Sequence, residues 1–143
     1  MGVKNLDPKQ VSIAFGPVLI SGFADGTYVS VERNEDSFSL MVGADGEAAR
    51  SKSNNLSGRV TVTLMQTSAS NALLSAIAQV DERSSAGDGI NPLLVKDNNG
   101  LDLYTAETAW IVKPATGSHG REAETREWVF ETNELISFSG GNL

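Results

Sequence analysis

The chain has 143 residues, the commonest size of one domain and short for two. Its 40% hydrophobic and 20% charged residues are enough for a packed core, which excludes wholesale disorder. The absence of cysteine excludes disulfides, iron–sulfur clusters, thiolate zinc sites and cysteine nucleophiles, and a lone histidine, His119, leaves no pair for a histidine-based metal site. Eighteen acids against eleven bases give a net charge of −7, a surface that repels nucleic acid and anionic lipid. The start, Met1 to Leu6, has no apolar run of the signal-peptide kind, and Leu6 stands where N-myristoylation wants Ser or Thr. The longest apolar stretch, Ala72 to Val80, is too short to cross a bilayer. The expectation is a soluble protein with no membrane partner, made and kept in a cytoplasm.

In chain order, Val11-Ser12-Ile13-Ala14-Phe15 alternates with the period of a strand and closes at Gly16-Pro17. Val18 to Ile20 is a short apolar run before the turn signal Ala24-Asp25-Gly26. Tyr28 opens a long strand expected to reach Val42. Its parity breaks, because Val29 and Val31 are odd while Phe38, Leu40 and Val42 are even, so a bulge or bend is expected around Asn34-Glu35-Asp36. Val60, Val62 and Leu64, alternating with Arg59, Thr61 and Thr63, form the clearest amphipathic strand.

One helix is expected over about 71–82, capped by Ser70 or Asn71, with Leu73, Leu74, Ile77 and Val80 as the stripe lying on a sheet. The segment 81–91 reads as loop. Asn98-Asn99-Gly100 between Leu93–Asp97 and Leu101–Tyr104 is the strongest hairpin signal in the chain. Ala109 to Val112 continues the strand set, 115–120 is a turn, and Glu127 to Glu131 is a strand with Trp128 and Phe130 on one face. The tail from Ser137 to Leu143 is expected to fray. Seven or eight strands, with a helix after the fourth, predict a mainly β sandwich or barrel with one flanking helix, a single domain over 1–143.

No group of residues assembles catalytic chemistry. His119 sits in a Gly/Ser turn beside Arg121 with no nucleophile elbow in the chain. Asp97 to Asp102 resembles a calcium loop only loosely, with Leu101 where an oxygen ligand belongs, and reads as a hairpin turn. The many carboxylates read as solvated strand faces, no phosphate-cradling glycine loop follows a strand, and the bases are dispersed. No cofactor and no enzymatic activity are expected.

The connection from Gly43 to Ser57 is long for two strands of a compact domain. Its Ser, Asn and Gly content fits either a floppy excursion or an arm that orders on meeting a neighbour. Folded back on itself it reaches about 20–25 Å, at roughly 3.3 Å per extended residue.

Three blocks carry a resemblance: Val42-Gly43-Ala44-Asp45-Gly46-Glu47, Ser57-Gly58-Arg59-Val60-Thr61-Val62-Thr63-Leu64, and Gln66-Thr67-Ser68-Ala69-Ser70-Asn71-Ala72-Leu73-Leu74. The chain resembles the tail tube proteins of contractile-tailed phages, best from Tyr28 to Ala78 and more weakly through Trp128-Val129-Phe130. The resemblance implies a structural subunit of a hollow tube. Six-membered rings stack, and their inner sheets join into one barrel around the lumen. The long loop contacts the adjacent ring, through Gly43, Ala44, Asp45, Gly46, Glu47, Arg50, Lys52 and Asn54. It implies a sheath outside, with tape measure, baseplate and tail terminator proteins as further partners, in a virion tail assembled in the host cytoplasm. DNA passes through the lumen in transit, without sequence-specific binding. The polar strand positions Thr61, Thr63, Glu127 and Glu131 are the expected lumen-facing residues. A secretion-system tube protein of the same fold is the nearest alternative. A small β-sandwich module that binds or hydrolyses carbohydrate is another, and it would need an exposed platform from Trp110, Trp128, Tyr28 or Tyr104.

Overall fold

The computed structural model describes residues 2–141. Among the described residues, after a 3-10 turn at Pro8–Gln10, ten strands and one α-helix follow each other as β1 (Val11–Phe15), β2 (Val18–Ile20), β3 (Val29–Arg33), β4 (Phe38–Val42), β5 (Ala48–Lys52), β6 (Gly58–Met65), α1 (Ser70–Arg83), β7 (Asn91–Asp97), β8 (Leu103–Ile111), β9 (Thr125–Thr132) and β10 (Ile136–Phe138). The fold is mainly β and every strand pairing is antiparallel. The main sheet runs β2-β1-β7-β8-β9-β6-β3, with β10 beside β8, while β4 and β5 pair only with each other.

This sheet curls back on itself. Phe15 on β1 and Phe130 on β9 have ring centroids 4.9 Å apart although β7 and β8 lie between their strands. A flat sheet would hold them about 14 Å apart, at roughly 4.8 Å per strand. The chain leaving β2 completes the closure. Phe23 bridges Leu64, the Ala24 amide donates to Thr63 O (3.0 Å), and the Met65 amide donates to Gly22 O (2.8 Å). Alternation supplies the interior: Ile13, Phe15, Val60, Val62, Leu64, Trp128 and Phe130 are all at most 1% exposed. In β8 the inward parity switches from Ala106 to Ala109, because β8 advances three residues where β7 advances two, a bulge at Glu107-Thr108. Buried Thr132 satisfies this bulge by donating its hydroxyl to Thr108 O at 2.7 Å.

The helix lies on β2 through buried Leu74 and Ala78 and half-buried Ile77. Leu73 and Val80, expected on that stripe, are about half exposed, since the buried row follows Ser70, Leu74 and Ala78 at four-residue spacing. Neither Ser70 nor Asn71 caps the helix. Ala69 is the cap residue, and the two polar side chains tie the helix start to the sheet instead. Ser70 Oγ accepts from the Ser21 amide (3.0 Å), and Asn71 Oδ1 accepts from the indole Nε1 of Trp128 (2.9 Å).

The long strand expected from Tyr28 to Val42 is two strands, β3 and β4, in different sheets, and the helix therefore follows six strands rather than four. The break falls at 34–37, where the parity change had located it. Residues 93–97 and 103–104 form the expected hairpin, but β8 also absorbs all but Val112 of the separate segment expected at 109–112. The tail is held as far as it is described: β10 pairs β8, the Gly140 amide donates to Asp102 Oδ1 (2.8 Å), and Gly141 O accepts from the Leu101 amide (3.1 Å). The fraying expected of 142–143 falls outside the described residues.

Gly58 begins β6 where β3, β9 and buried Leu135 converge, and a Cβ there would stand 2.4 Å from Leu135 Cδ2 and 3.0 Å from Glu32 O. Gly58→Ala is therefore expected to cost about 1–3 kcal/mol, the range for overpacking a filled site. Thermal or urea unfolding of the variant checks this, and an unchanged midpoint would mean that Leu135 can move aside.

Candidate functional site

β4 and β5 extend the β3–β6 ladder beyond the body as a hairpin arm. At its base the Asn34 amide donates to Ser57 O (3.1 Å) and the Ser53 amide to Ser37 O (2.8 Å). Between the pairs Arg33↔Gly58 and Phe38↔Lys52 one strand has four residues and the other has five, so the register shifts by one and the arm's faces are set independently of the body's. The tip is built by the Gly43 amide on Glu47 O (2.7 Å), the Gly46 amide on Gly43 O (2.9 Å) and Asp45 Oδ1 accepting from the Glu47 amide (3.1 Å). Gly46 takes φ +88°, which a side chain would oppose.

The segment 43–57 is thus only partly a loop: Ala48–Lys52 is a strand already paired within one chain. Ordering on contact with a neighbour is not required, because a partner strand lies five residues away across an Asp-Gly turn. Gly43, Ala44, Asp45, Gly46 and Glu47 form the tip, Arg50 and Lys52 lie on β5, and Asn54 lies at the base, all of them exposed.

Every residue of both arm strands is exposed. Directly paired residues of an antiparallel ladder share a face, so Phe38, Leu40 and Val42 lie together with Lys52, Arg50 and Ala48. Leu40 is 71% and Val42 58% exposed. The Arg50 guanidinium lies 4.1 Å from the Phe38 ring centroid, a cation–π contact that holds both side chains on this face. A two-stranded hairpin that buries nothing is marginal in water, and an apolar face on such an arm calls for a covering surface. The residues that carry this face, Phe38, Leu40 and Val42, read in the sequence as the end of one long strand from Tyr28. The signal that separates them is the parity break at 34–36 together with the Asp45-Gly46 turn.

Thr61, Thr63, Glu127 and Glu131 fall on one face of the sheet, opposite the buried Val60, Val62, Trp128 and Phe130, with Thr63 directly paired to Glu127. Glu131 is paired across the ladder with Arg59 and accepts from its guanidinium at 2.9 Å. Its partner is therefore Arg59, while Arg126 donates to the carbonyls of Ser118 and Thr125. The face is mixed in charge, with Glu32 on the other side of Arg59.

The other sequence candidates have structural work. The His119 ring lies 3.3 Å from the Gln66 amide in an exposed loop. Asp97 accepts from the amide and the side chain of Asn99 (both 2.8 Å), and Asn99 in turn donates to Asp7 O (2.9 Å), closing the hairpin onto the N-terminal segment. Burial, with smaller contributions from Asp97 and Asp7, raises the phenol of Tyr28 above its ordinary range. Of the four aromatics that a sugar platform would need, Trp128 is core, while Tyr28, stacked on Phe23 at 4.9 Å, and Tyr104 and Trp110 are half-buried. Among the described residues no cluster of three metal-ligating side chains occurs.

Comparison with known proteins agrees with this arrangement. Three solved assemblies contain chains of the same fold at low identity. The anti-feeding prophage tube-terminating cap matches with TM-score 0.61 and 8% identity over 97% of this chain and 95% of that one. The sheath/tube terminator of an extracellular contractile injection system in its extended state matches with TM-score 0.63 and 8% identity over 94% and 97%. A chain of a native gene transfer agent virion matches with TM-score 0.56 and 13% identity over 94% and 100%. In sequence, the structural protein ORF10 of Pseudomonas phage KPP10 is 35% identical over 141 residues, covering 94% of this chain and 82% of that protein. The family model described as the bacteriophage PhiTE tail tube protein matches residues 11–139, almost the whole chain, and the chain belongs to that tail tube family.

Proposed function

We propose that this chain is a non-enzymatic building block whose six-membered rings stack into a hollow phage tail tube, with the β4–β5 arm as the contact between rings. The observation that carries the reading is the arm itself: a preformed hairpin with an exposed apolar face, standing clear of the sheet that bears it. An arm on one copy and a receiving surface on the next make a heterologous contact, which repeats without closing and so builds a filament. Each arm buries little, but six act at once, and multiplicity turns a weak contact into a firm one. The tip residues Gly43 to Glu47, with Arg50, Lys52 and Asn54, are the proposed ring-to-ring contacts.

Thr61, Thr63, Glu127 and Glu131 are the proposed lumen lining. Six copies at −7 each would place about −42 on every ring, a field that lets DNA slide without adhering. The sheath is proposed to surround the tube, with tape measure, baseplate and terminator proteins at its inside and ends, in a tail put together in the host cytoplasm.

Electron microscopy of the purified chain tests assembly. Rings or hollow tubes are expected, and a compact monomer at high concentration, even beside its tail partners, would overturn the proposal. Replacing 38–52 by a short turn joining Ser37 to Ser53 is expected to leave the unfolding midpoint within a few degrees, because the arm contributes nothing to the core, and to stop stacking. Tubes that still form without the arm would remove its role.

The lumen assignment is tested separately with Glu127→Lys/Glu131→Lys. Loss of the exposed Arg59 pair costs under about 1 kcal/mol, so the fold should survive. Tubes of the double variant are expected to retain DNA, with retention falling steeply as salt rises. DNA that elutes from them as from wild-type tubes would place these acids elsewhere.

A further inference from the structure

The outer face of the sheet at β2, β1, β7, β8 and β10 carries an exposed apolar surface. Register places Leu19, Ala14, Leu94, Thr105 and Ile136 directly beside one another across five strands. The next outward row brings Lys96, Leu103 and Phe138 together. Leu19 is 68%, Ile136 58% and Phe138 59% exposed, an unusual concentration of apolar side chains on neighbouring strands. Glu107 lies at the bulge end of this face and Lys96 at its hairpin end, both exposed. Strand geometry sets them about 13 Å apart along the strands.

The arm has the complementary charge order. Lys52 and Arg50 are toward its base, beside Phe38 and Leu40, and Asp45 and Glu47 are at its tip, about 17 Å further on by strand rise. Its direction also matches. Gly58 and Ala109 both pair with Thr132, so the ladder leaving β6 for the arm runs in the same sense as β8 from Ala109 toward Leu103. Copies stacked with a common polarity therefore present Glu107 first and Lys96 last to an incoming arm. That order sets the cationic base against the acid and the acidic tip against the lysine. Every residue of both arm strands is exposed within its own chain, so a chain does not bury its arm on its own apolar face.

We infer that the apolar outer face of β1, β7, β8 and β10, bounded by Glu107 and Lys96, is the docking surface for the Phe38-Leu40-Val42 face of the arm of a second copy. This inference rests on the stacking role proposed for the arm and names the surface that receives it.

The lack of cysteine in the chain allows a direct test. Copies carrying Leu40→Cys are mixed with copies carrying Leu94→Cys or Ile136→Cys, assembled, and oxidised. Covalent dimers are expected in either mixture, and not when the second copy carries Gln79→Cys on the exposed face of the helix. In a parallel arm, Lys52→Glu is expected to reduce tube growth at least tenfold and Lys52→Glu/Glu107→Lys to restore it. Mixed tubes that form without cross-linking at Leu94 or Ile136, or a charge exchange that restores nothing, would overturn the docking surface and leave the arm's stacking role standing. Wild-type protein that never stacks would overturn the stacking role, and the docking surface with it.

Discussion

Closure of one sheet around its own inward side chains is the constraint from which the rest follows. Phe15 meets Phe130 across two intervening strands, and Phe23 joins Leu64 to bring the two ends of the sheet together. A closed sheet of this size spends its large alternating residues inward and leaves its outer face to water or to neighbours. The β3–β6 ladder ends at Arg33↔Gly58, where Leu135 fills the space a side chain would need and the Arg33 guanidinium donates to Leu135 O at 2.6 and 2.9 Å. The chain leaves the body there as a separate hairpin. The packing that finishes the core and the start of the arm thus meet at one point of the chain.

The polar residues at the helix start serve that closure as well. Ser68, Ser70 and Asn71 would ordinarily be read as local caps, yet each bonds something distant: Ser21 O for Ser68, the Ser21 amide for Ser70, and Trp128 for Asn71. Together they fasten the helix to the end of β2 and to the centre of β9. The buried row of the helix is correspondingly narrow, and Leu73 and Val80 face outward.

Much of the core was legible because alternation is a local property. Val60, Val62 and Leu64, Ile13 and Phe15, and Trp128 and Phe130 declare their buried face in the sequence itself. The common face of Thr61, Thr63, Glu127 and Glu131 follows from the same alternation once β6 and β9 are neighbours. What sequence cannot supply is register between strands some seventy residues apart, and the Arg59–Glu131 pair exists only through that register. Nor does alternation tell a strand that packs on the body from one that leaves it. Phe38, Leu40 and Val42 carry the pattern of a core strand and stand in solvent. The exposed row from Leu19 to Ile136 was hidden for the same reason, since its members come from five separate segments and meet only through pairing.

The arm of a free subunit is an exposed, marginal hairpin, proposed to be covered only when copies assemble. Hydrogen exchange of the free chain and of assembled tubes measures this most directly. The amides of β4 and β5 should exchange quickly in the free chain and become strongly protected in tubes, while those of β6 and β9 stay protected in both. Arm amides that exchange as fast in tubes as in the free subunit would contradict it.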